Sequence, residues 1–195
     1  MSSREKILEA ISRNKPGFTP APVVTSHSTA GYEQLVAKFT TTLESIGGSV
    51  IRTNDFETIK THVQQVKVQG HSIVNTITSL GETDETITFF DPATSLEHIH
   101  MACIKGLLGV AENGAIWVEE SKMRNRLLPF ICQHLVLVLD AKKIVADMHQ
   151  AYDQLTVNRE GYGVFIAGPS KTADIEQSLV IGAHGARSLL VFLVE

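Results

Sequence analysis

The segment His134–Leu139, which reads His-Leu-Val-Leu-Val-Leu, constrains the fold more than any other part of this sequence. Five consecutive apolar residues lack the alternation of a strand with one solvated face. Such a run is typical of a strand that is buried on both faces, as in the middle of a parallel sheet. The pattern also predicts further strands, at Ser49–Thr53, Ser72–Thr76, Thr86–Phe90, Val164–Ala167 and Leu189–Val194.

Segments with helical spacing separate these strands. Apolar residues from Leu35 to Ile46 recur every three or four positions, and Gly47-Gly48 supplies a left-handed stop. Asp55 is placed to cap a second helix, and further helices are predicted at about 141–155 and 172–180. Because strands and helices alternate, we predict an α/β fold with a largely parallel sheet covered by helices.

An antiparallel hairpin interrupts this alternation. The apolar runs Leu107–Ala111 and Ala115–Val118 flank Glu112-Asn113-Gly114, and Asn-Gly between two such runs indicates a tight turn. Glu112 can act there as a general base or a covalent nucleophile, and Gly114 lets a substrate approach the backbone. A solvated carboxylate in an ordinary hairpin turn explains the same pattern.

Residues 1–30 differ from the rest of the chain. Ser2 and Glu5 have the spacing of a capping box at the start of a short helix over 2–14. Three prolines between Lys15 and Pro22 then favour an extended linker. We therefore divide the chain into an N-terminal helix and linker (1–30) and one domain (31–195). The helix can serve as an arm that docks on a second subunit of a homo-oligomer.

Composition excludes several classes of function. Seventeen Lys and Arg against twenty-one Asp and Glu give a net charge of −4, which argues against nucleic acid or an anionic membrane as partner. No apolar run approaches the roughly 18 residues of a membrane span, and the segment Met1–Lys6 lacks the pattern of a signal peptide. We therefore expect a cytoplasmic protein. Cys103 and Cys132 are the two cysteines, too few for an iron–sulfur cluster of the chain's own.

Two further loops contain residue types suited to binding. Gly168-Pro-Ser170-Lys-Thr172-Ala-Asp174 follows a strand, and a helix starting near Ser170 would present free N–H groups to an anion. The alternative is a plain turn in which Ser170 caps the helix and Asp174 complements its dipole.

In Gly182-Ala-His184-Gly185-Ala-Arg187, the imidazole of His184 suits acid–base chemistry or anion contact, and Arg187 can bind a carboxylate or phosphate. A helix stop followed by a turn accounts for the same glycines. Ligands of open α/β sheets bind at the carboxyl ends of strands, and we expect these three loops to lie there, with Glu112, Ser170 and His184 in one shared cleft. His98-x-His100 near Cys103 is too sparse a pattern to predict a metal site.

Several motifs, in order, resemble the LUD domain of the lactate utilization protein C family over residues 31–195. They are Gly109–Val118, Leu128–Phe130, His134–Leu139, Gly168–Glu176 and Leu179–Gly185. In place of the Gly-Pro that the family usually has after the histidine, this chain has Gly185-Ala186.

The resemblance implies a three-layer αβα fold, similar to the group of glucosamine-phosphate deaminase, ribose-phosphate isomerase and CoA-transferases. It also implies a role in oxidising L-lactate to pyruvate, with iron–sulfur clusters on partner proteins and none in this chain. An organic acid or a partner would bind at the Glu112, Ser170 and His184 loops.

Two alternatives stay open. Glu112-Asn113-Gly114 looks like the turn of class I CoA-transferases, whose glutamate forms an acyl-CoA thioester, so a transferase with Glu112 as nucleophile is the second hypothesis. A non-catalytic assembly subunit is the third.

Overall fold

The computed structural model of this chain describes residues 2–22, 30–81, 86–155, 161–172 and 180–195. Its helices are α1 (Ser3–Arg13), α2 (Tyr32–Ser45), α3 (Phe56–Val68), α4 (Ala93–Leu96), α5 (Glu120–Met123), α6 (Leu128–Ile131) and α7 (Met148–Gln154). Its strands are β1 (Ser49–Thr53), β2 (Ile73–Asn75), β3 (Met101–Lys105), β4 (Leu108–Val110), β5 (Ala115–Glu119), β6 (His134–Asp140), β7 (Ile144–Val145), β8 (Gly163–Ile166), β9 (Lys171–Thr172), β10 (Val180–Ile181) and β11 (Ser188–Val194). Short 3-10 turns span Thr78–Leu80 and Ala141–Lys143.

The central sheet is parallel throughout and has the strand order β1-β11-β6-β3-β2. Its middle strand is β6, in which every residue from Leu135 to Leu139 is buried. Since neighbouring strands and packed layers leave the stretch Leu135–Leu139 no solvated face, polar residues occur only at the two ends of this strand. The apolar run thus correctly predicts a parallel α/β fold.

A second sheet, in the order β7-β4-β5-β8, packs beside the central one. β4 and β5 form the predicted antiparallel hairpin, with Gly109 opposite Ile116. Alternate side chains of β5 face opposite ways: Ile116 and Val118 join the main core, whereas Trp117 packs with Ala151 of α7 in a smaller one.

Helices cover both faces of the central sheet. On one face, Ile59 of α3 packs against Met101 and Phe192. On the other, Phe39 and Leu43 of α2 share the main core with the second sheet. The layers of the αβα arrangement are therefore unequal, because one of the outer layers contains a small sheet as well as helices.

Local signals at the chain's helix starts are confirmed. The Ser2 hydroxyl accepts from the N–H of Glu5, and the Glu5 carboxylate accepts from the N–H of Ser2, which is the predicted capping box. Asp55 caps α3 by accepting from the N–H of Thr58. No residue of α1 is buried, and Ile7 is 57% exposed, so the apolar side of this helix is left open to solvent.

Three element predictions are wrong or only partly right. Thr86–Phe90 is not a strand: the Asn125 side chain donates to the carbonyls of Thr88, Phe89 and Asp91 and holds this segment as a turn. The helix expected at about 141–155 is reduced to α7, because a 3-10 turn and β7 occupy its first half.

The third concerns the helix expected at about 172–180. Lys171–Thr172 and Val180–Ile181 pair as antiparallel strands, so no helix starts at Ser170 in the described chain. Residues 173–179, and Asp174 with them, lie outside the described residues. Within the described ranges, none of the helices has both the length and the apolar character needed to cross a membrane.

Candidate functional site

A pocket of about 320 Å³ lies where the Gly168–Lys171 and His184–Ala186 loops meet. Phe130, Leu135 and Phe165 form apolar parts of its wall. We call it the Ser170–His184 pocket. Leu135 is the second residue of β6 and Ala186 precedes β11, so the pocket lies at the amino ends of these parallel strands. The predicted location at the carboxyl ends of strands is therefore wrong for this pocket.

Backbone hydrogen bonds hold the two loops together. The N–H of Ser170 donates to the carbonyl of Ala186 over 2.9 Å, and the N–H of Gly182 donates to the carbonyl of Ser170 over 3.0 Å. Gly185 lies so close to Ser170 that a Cβ there would be 2.9 Å from the serine Cβ. Ala186 takes part in this contact through its backbone carbonyl, which a proline would also have. The alanine that stands in place of the family's usual proline therefore keeps the hydrogen bond with Ser170.

The pocket presents several donors to a ligand. His184 is exposed and Ser170 half-buried. Within the described ranges, neither their side chains nor the backbone N–H groups of His184 and Gly185 have a hydrogen-bond partner. A hydroxyl, an imidazole and two free N–H groups beside an apolar wall suit a small anion with a short apolar part.

Gly168 and Lys171, which also line the pocket, both contact the carbonyl of Ile46 at the end of α2. Gly168 has φ +74° and sits against the Ile46 carbonyl, 2.9 Å from where its Cβ would be. Lys171 lines the pocket, but its ammonium donates to that same carbonyl at the C-terminal end of α2. The lysine therefore anchors the loop to α2.

The structure does not bring Glu112 into this pocket, so the expectation of one shared cleft is wrong for that residue. Glu112 Oε2 instead accepts from the N–H of Met148, the first residue of α7, at 3.1 Å. Asn113 accepts from the N–H of Ala115 and so closes the turn. Gly114, with φ +69°, packs against α2, and a Cβ there would be 3.0 Å from Leu43 Cα. Each of these contacts stabilises the hairpin.

Arg187 and Thr172 are not among the residues that line the pocket either. The N–H of Arg187 donates to the carbonyl of Gln133, which fixes the start of β11 beside the start of β6. Thr172 is engaged in the β9–β10 pairing, opposite Val180.

A row of histidines that the sequence pattern does not predict lies at the same edge of the sheet. His71 precedes β2 and His100 precedes β3, and their imidazole rings are stacked with centroids 3.7 Å apart. The ring centroid of His134, in β6, lies 4.7 Å from that of His100. His134 Nδ1 and Ser188 Oγ are 2.7 Å apart and hydrogen-bonded, because the register places these residues side by side. The parallel pairing of β2, β3 and β6, more than the local sequence, assembles this row.

Burial and neighbouring charges lower the pKa of two of these histidines, His100 and His134. Burial lowers the pKa of His100, and His71 and His134 lower it further. Burial also lowers the pKa of His134, with smaller contributions from Arg187 and His71. In the part of the chain that the structure describes, no three His, Cys, Asp or Glu side chains are arranged to hold a metal ion.

Comparison with known proteins agrees with the motif analysis. The sequence profile described as "LUD domain" matches residues 95–194, more than half of the chain, including the hairpin and the Ser170–His184 pocket. Lactate utilization protein C of Exiguobacterium sp. is 30% identical over 129 residues, and that of Bacillus subtilis is 33% identical over 91 residues. An uncharacterized protein of Neisseria meningitidis serogroup B is 34% identical over 89 residues.

The alignments cover only part of this chain and only part of each relative. The three alignments cover 54%, 44% and 44% of this chain, and 56%, 38% and 38% of the respective relatives. The chain therefore spans about half the length, or less, of the curated relatives it matches. A crystal structure of a DUF162 family protein from Deinococcus radiodurans has the same fold, with TM-score 0.66 and 15% identity, over 85% of this chain and 99% of that one.

Proposed function

The chain belongs to the LUD domain family, and on that premise we propose that it is a component of an L-lactate utilization system that binds a small organic acid in the Ser170–His184 pocket. Relatives named lactate utilization protein C support the system. The pocket supports the ligand, since it combines unpartnered donors with an apolar wall.

The chemistry of the pocket fits a 2-hydroxy or 2-keto acid. The free N–H groups of His184 and Gly185, together with the Ser170 hydroxyl, can donate to a carboxylate. The His184 imidazole can exchange a proton with a hydroxyl or keto oxygen. A methyl group as small as that of lactate can pack on Leu135 and Phe130. One convergence carries the proposal: two loops that the sequence singled out separately meet around one cavity.

Electron transfer in this proposal belongs to iron–sulfur partner proteins. Cys103 and Cys132 are buried in different cores, on opposite faces of the central sheet, and cannot converge on one cluster. This chain would then hold or position the organic acid while partners accept the electrons.

The test is direct binding to the purified full chain. Titration with L-lactate and with pyruvate, followed by amide NMR shifts, should perturb Gly168, Ser170 and His184. His184→Gln and Ser170→Ala should each weaken binding about tenfold, the loss expected for one charge-assisted hydrogen bond. His149→Gln, which changes an exposed histidine of α7, is the matched control and should bind normally. Shifts confined to other parts of the chain would contradict the proposal.

The alternative function, an acyl-CoA transferase, requires Glu112 to act as the nucleophile. A nucleophilic carboxylate must be free to attack, whereas this one is hydrogen-bonded to the start of α7. Incubation with an acyl-CoA and trapping by borohydride or hydroxylamine decides the matter. We expect no adduct at Glu112; an adduct that Glu112→Gln abolishes would establish the transferase.

A further inference from the structure

A second cavity, of about 300 Å³, lies at the opposite, carboxyl-terminal edge of the central sheet. Phe56 of α3, Val138 of β6 and Val194 of β11 form apolar parts of its wall. We call it the carboxyl-edge pocket. None of its residues is among the candidate site residues predicted from the sequence, and it shares no residue with the Ser170–His184 pocket.

The topology explains why a cavity forms there. The connection that leaves β1 crosses one face of the sheet as α3, whereas the connection that leaves β6 crosses the other face as the second sheet and α7. Between these two connections, the cavity lies beside the carboxyl end of β11. Open α/β sheets bind ligands in such crevices outside the carboxyl ends of their strands.

Two cations from separate elements line this pocket. Lys105 ends β3 and Lys142 lies in the 3-10 turn after β6. Both are exposed, and within the described ranges neither ammonium group has an ion pair or hydrogen bond. By contrast, the carboxylate of Glu195 at the same edge is already paired with Arg52. The pocket therefore presents two ammonium groups that have no ion pair among the described residues.

An acceptor stands beside these cations. Asp140 Oδ1 accepts from the N–H of Lys142 at 2.9 Å, which fixes the carboxylate at the rim, and its other oxygen is available to a donor. Ser79 adds a hydroxyl to the lining of the pocket. Cations that attract an anion, next to a carboxylate that accepts a hydrogen bond, select a ligand with both an acidic group and a hydroxyl group.

We propose that the carboxyl-edge pocket binds a small hydroxylated organic anion, a phosphate ester or a hydroxy-carboxylate, with its acidic group on Lys105 and Lys142 and its hydroxyl on Asp140. The volume is at the lower end of the range for ligand pockets, which limits the ligand to a small metabolite. This site is separate from the proposed lactate function and does not depend on it.

Titrations of the full chain with four probes test the proposal. Glycerol phosphate and 3-hydroxypropionate carry both groups, inorganic phosphate carries the anion alone, and glycerol carries the hydroxyls alone. Neither of the first two is a 2-hydroxy or 2-keto acid, the class proposed for the Ser170–His184 pocket. At least one of the first two should bind more tightly than inorganic phosphate, and glycerol should not bind. The preferred probe identifies the source of the anion. Failure of both hydroxylated anions to bind at millimolar concentration would overturn the proposal.

Variants locate the binding. Lys105→Gln and Lys142→Gln should each weaken it about tenfold or more. Lys143→Gln changes the adjacent lysine, which does not line the pocket, and should have no effect. Asp140→Asn keeps the acceptor for the Lys142 N–H but removes a negative charge beside the cations. Inorganic phosphate should therefore bind at least as tightly, and the preference for the hydroxylated probes over inorganic phosphate should fall. Equal losses in Lys143→Gln, or a loss caused by His184→Gln, would place the binding elsewhere and overturn the assignment.

Discussion

Glu112 Oε2 lies 3.1 Å from the backbone nitrogen of Met148, so the carboxylate of the hairpin turn caps the first turn of α7. The first N–H groups of a helix have no hydrogen-bond partner within the helix. A negative charge at this end also interacts favourably with the positive end of the helix dipole. Asp147 caps the same helix through the N–H of Gln150, so two carboxylates share its N-terminus. Glu112 lies in the turn where the sequence suggests a nucleophile, but its carboxylate makes a hydrogen bond that stabilises the fold.

Removing that carboxylate should cost modest stability. We expect Glu112→Ala to lower the free energy of unfolding by about 0.5–1 kcal/mol, since Met148 loses its acceptor but remains open to water. Glu112→Gln retains an oxygen acceptor and should lose less. Urea denaturation of the two variants checks this, with Glu97→Ala as a control at an exposed carboxylate. A Glu112→Ala protein as stable as wild type would show that the contact contributes nothing.

The histidine row predicts a loss of stability in acid. The folded-state pKa of His100 and of His134 lies below the ordinary value of 6.5, so the unfolded chain binds more protons as pH falls. Their contribution is therefore fully present above pH 6.5 and is lost as pH falls through that value toward the folded pKa. Urea midpoints measured between pH 7.5 and 5 should fall steadily.

His100→Gln should flatten that pH dependence, because it removes the group that stacks on His71 and lies beside His134. His149→Gln, at an exposed histidine, should leave the slope as in wild type. An unchanged slope in His100→Gln would mean that other groups cause the acid sensitivity.

Both thiols should be inert in the folded protein. Burial raises the pKa of Cys103 and of Cys132 to about 12, so almost no thiolate exists near neutral pH. A thiol reagent such as Ellman's should label no cysteine in native conditions at pH 8 and two after urea unfolding. Rapid labelling of the native protein would contradict the burial of these side chains.

Much of the fold follows from local pattern. The apolar run after His134 specifies a strand buried on both faces, Asn113-Gly114 specifies a hairpin, and Ser2 with Glu5 specifies a helix start; all three are confirmed. Each depends on residues that are neighbours in sequence, where spacing alone decides the structure.

The failures depend on distant residues. Thr86–Phe90 has the β-branched and aromatic composition of a strand. However, the side-chain amide of Asn125, more than thirty residues away, donates hydrogen bonds to carbonyls of this segment and holds it as a turn. The row of His71, His100 and His134 exists only because of the strand register. Glu112 fails as a pocket residue for the same reason: its partner, Met148, lies thirty-six positions ahead.

Packing between the hairpin turn and α2 gives the last prediction. Gly114 has a positive φ of 69°, and a Cβ there would be 3.0 Å from the Cα and 3.1 Å from the backbone nitrogen of Leu43. Gly70 also has a positive φ, of 81°, but nothing lies within 4 Å of its Cβ position. Gly70→Ala should therefore cost only the left-handed conformation, about 1–2 kcal/mol.

Gly114→Ala should cost that amount and about 1–3 kcal/mol more, because backbone atoms of α2 cannot move aside as a flexible side chain would. Comparing the two variants by urea denaturation isolates the contact between turn and helix. Organic-acid binding at the Ser170–His184 pocket should persist in folded Gly114→Ala, since neither Gly114 nor Leu43 lines that pocket. Equal destabilisation by the two substitutions would mean that the turn does not pack on α2.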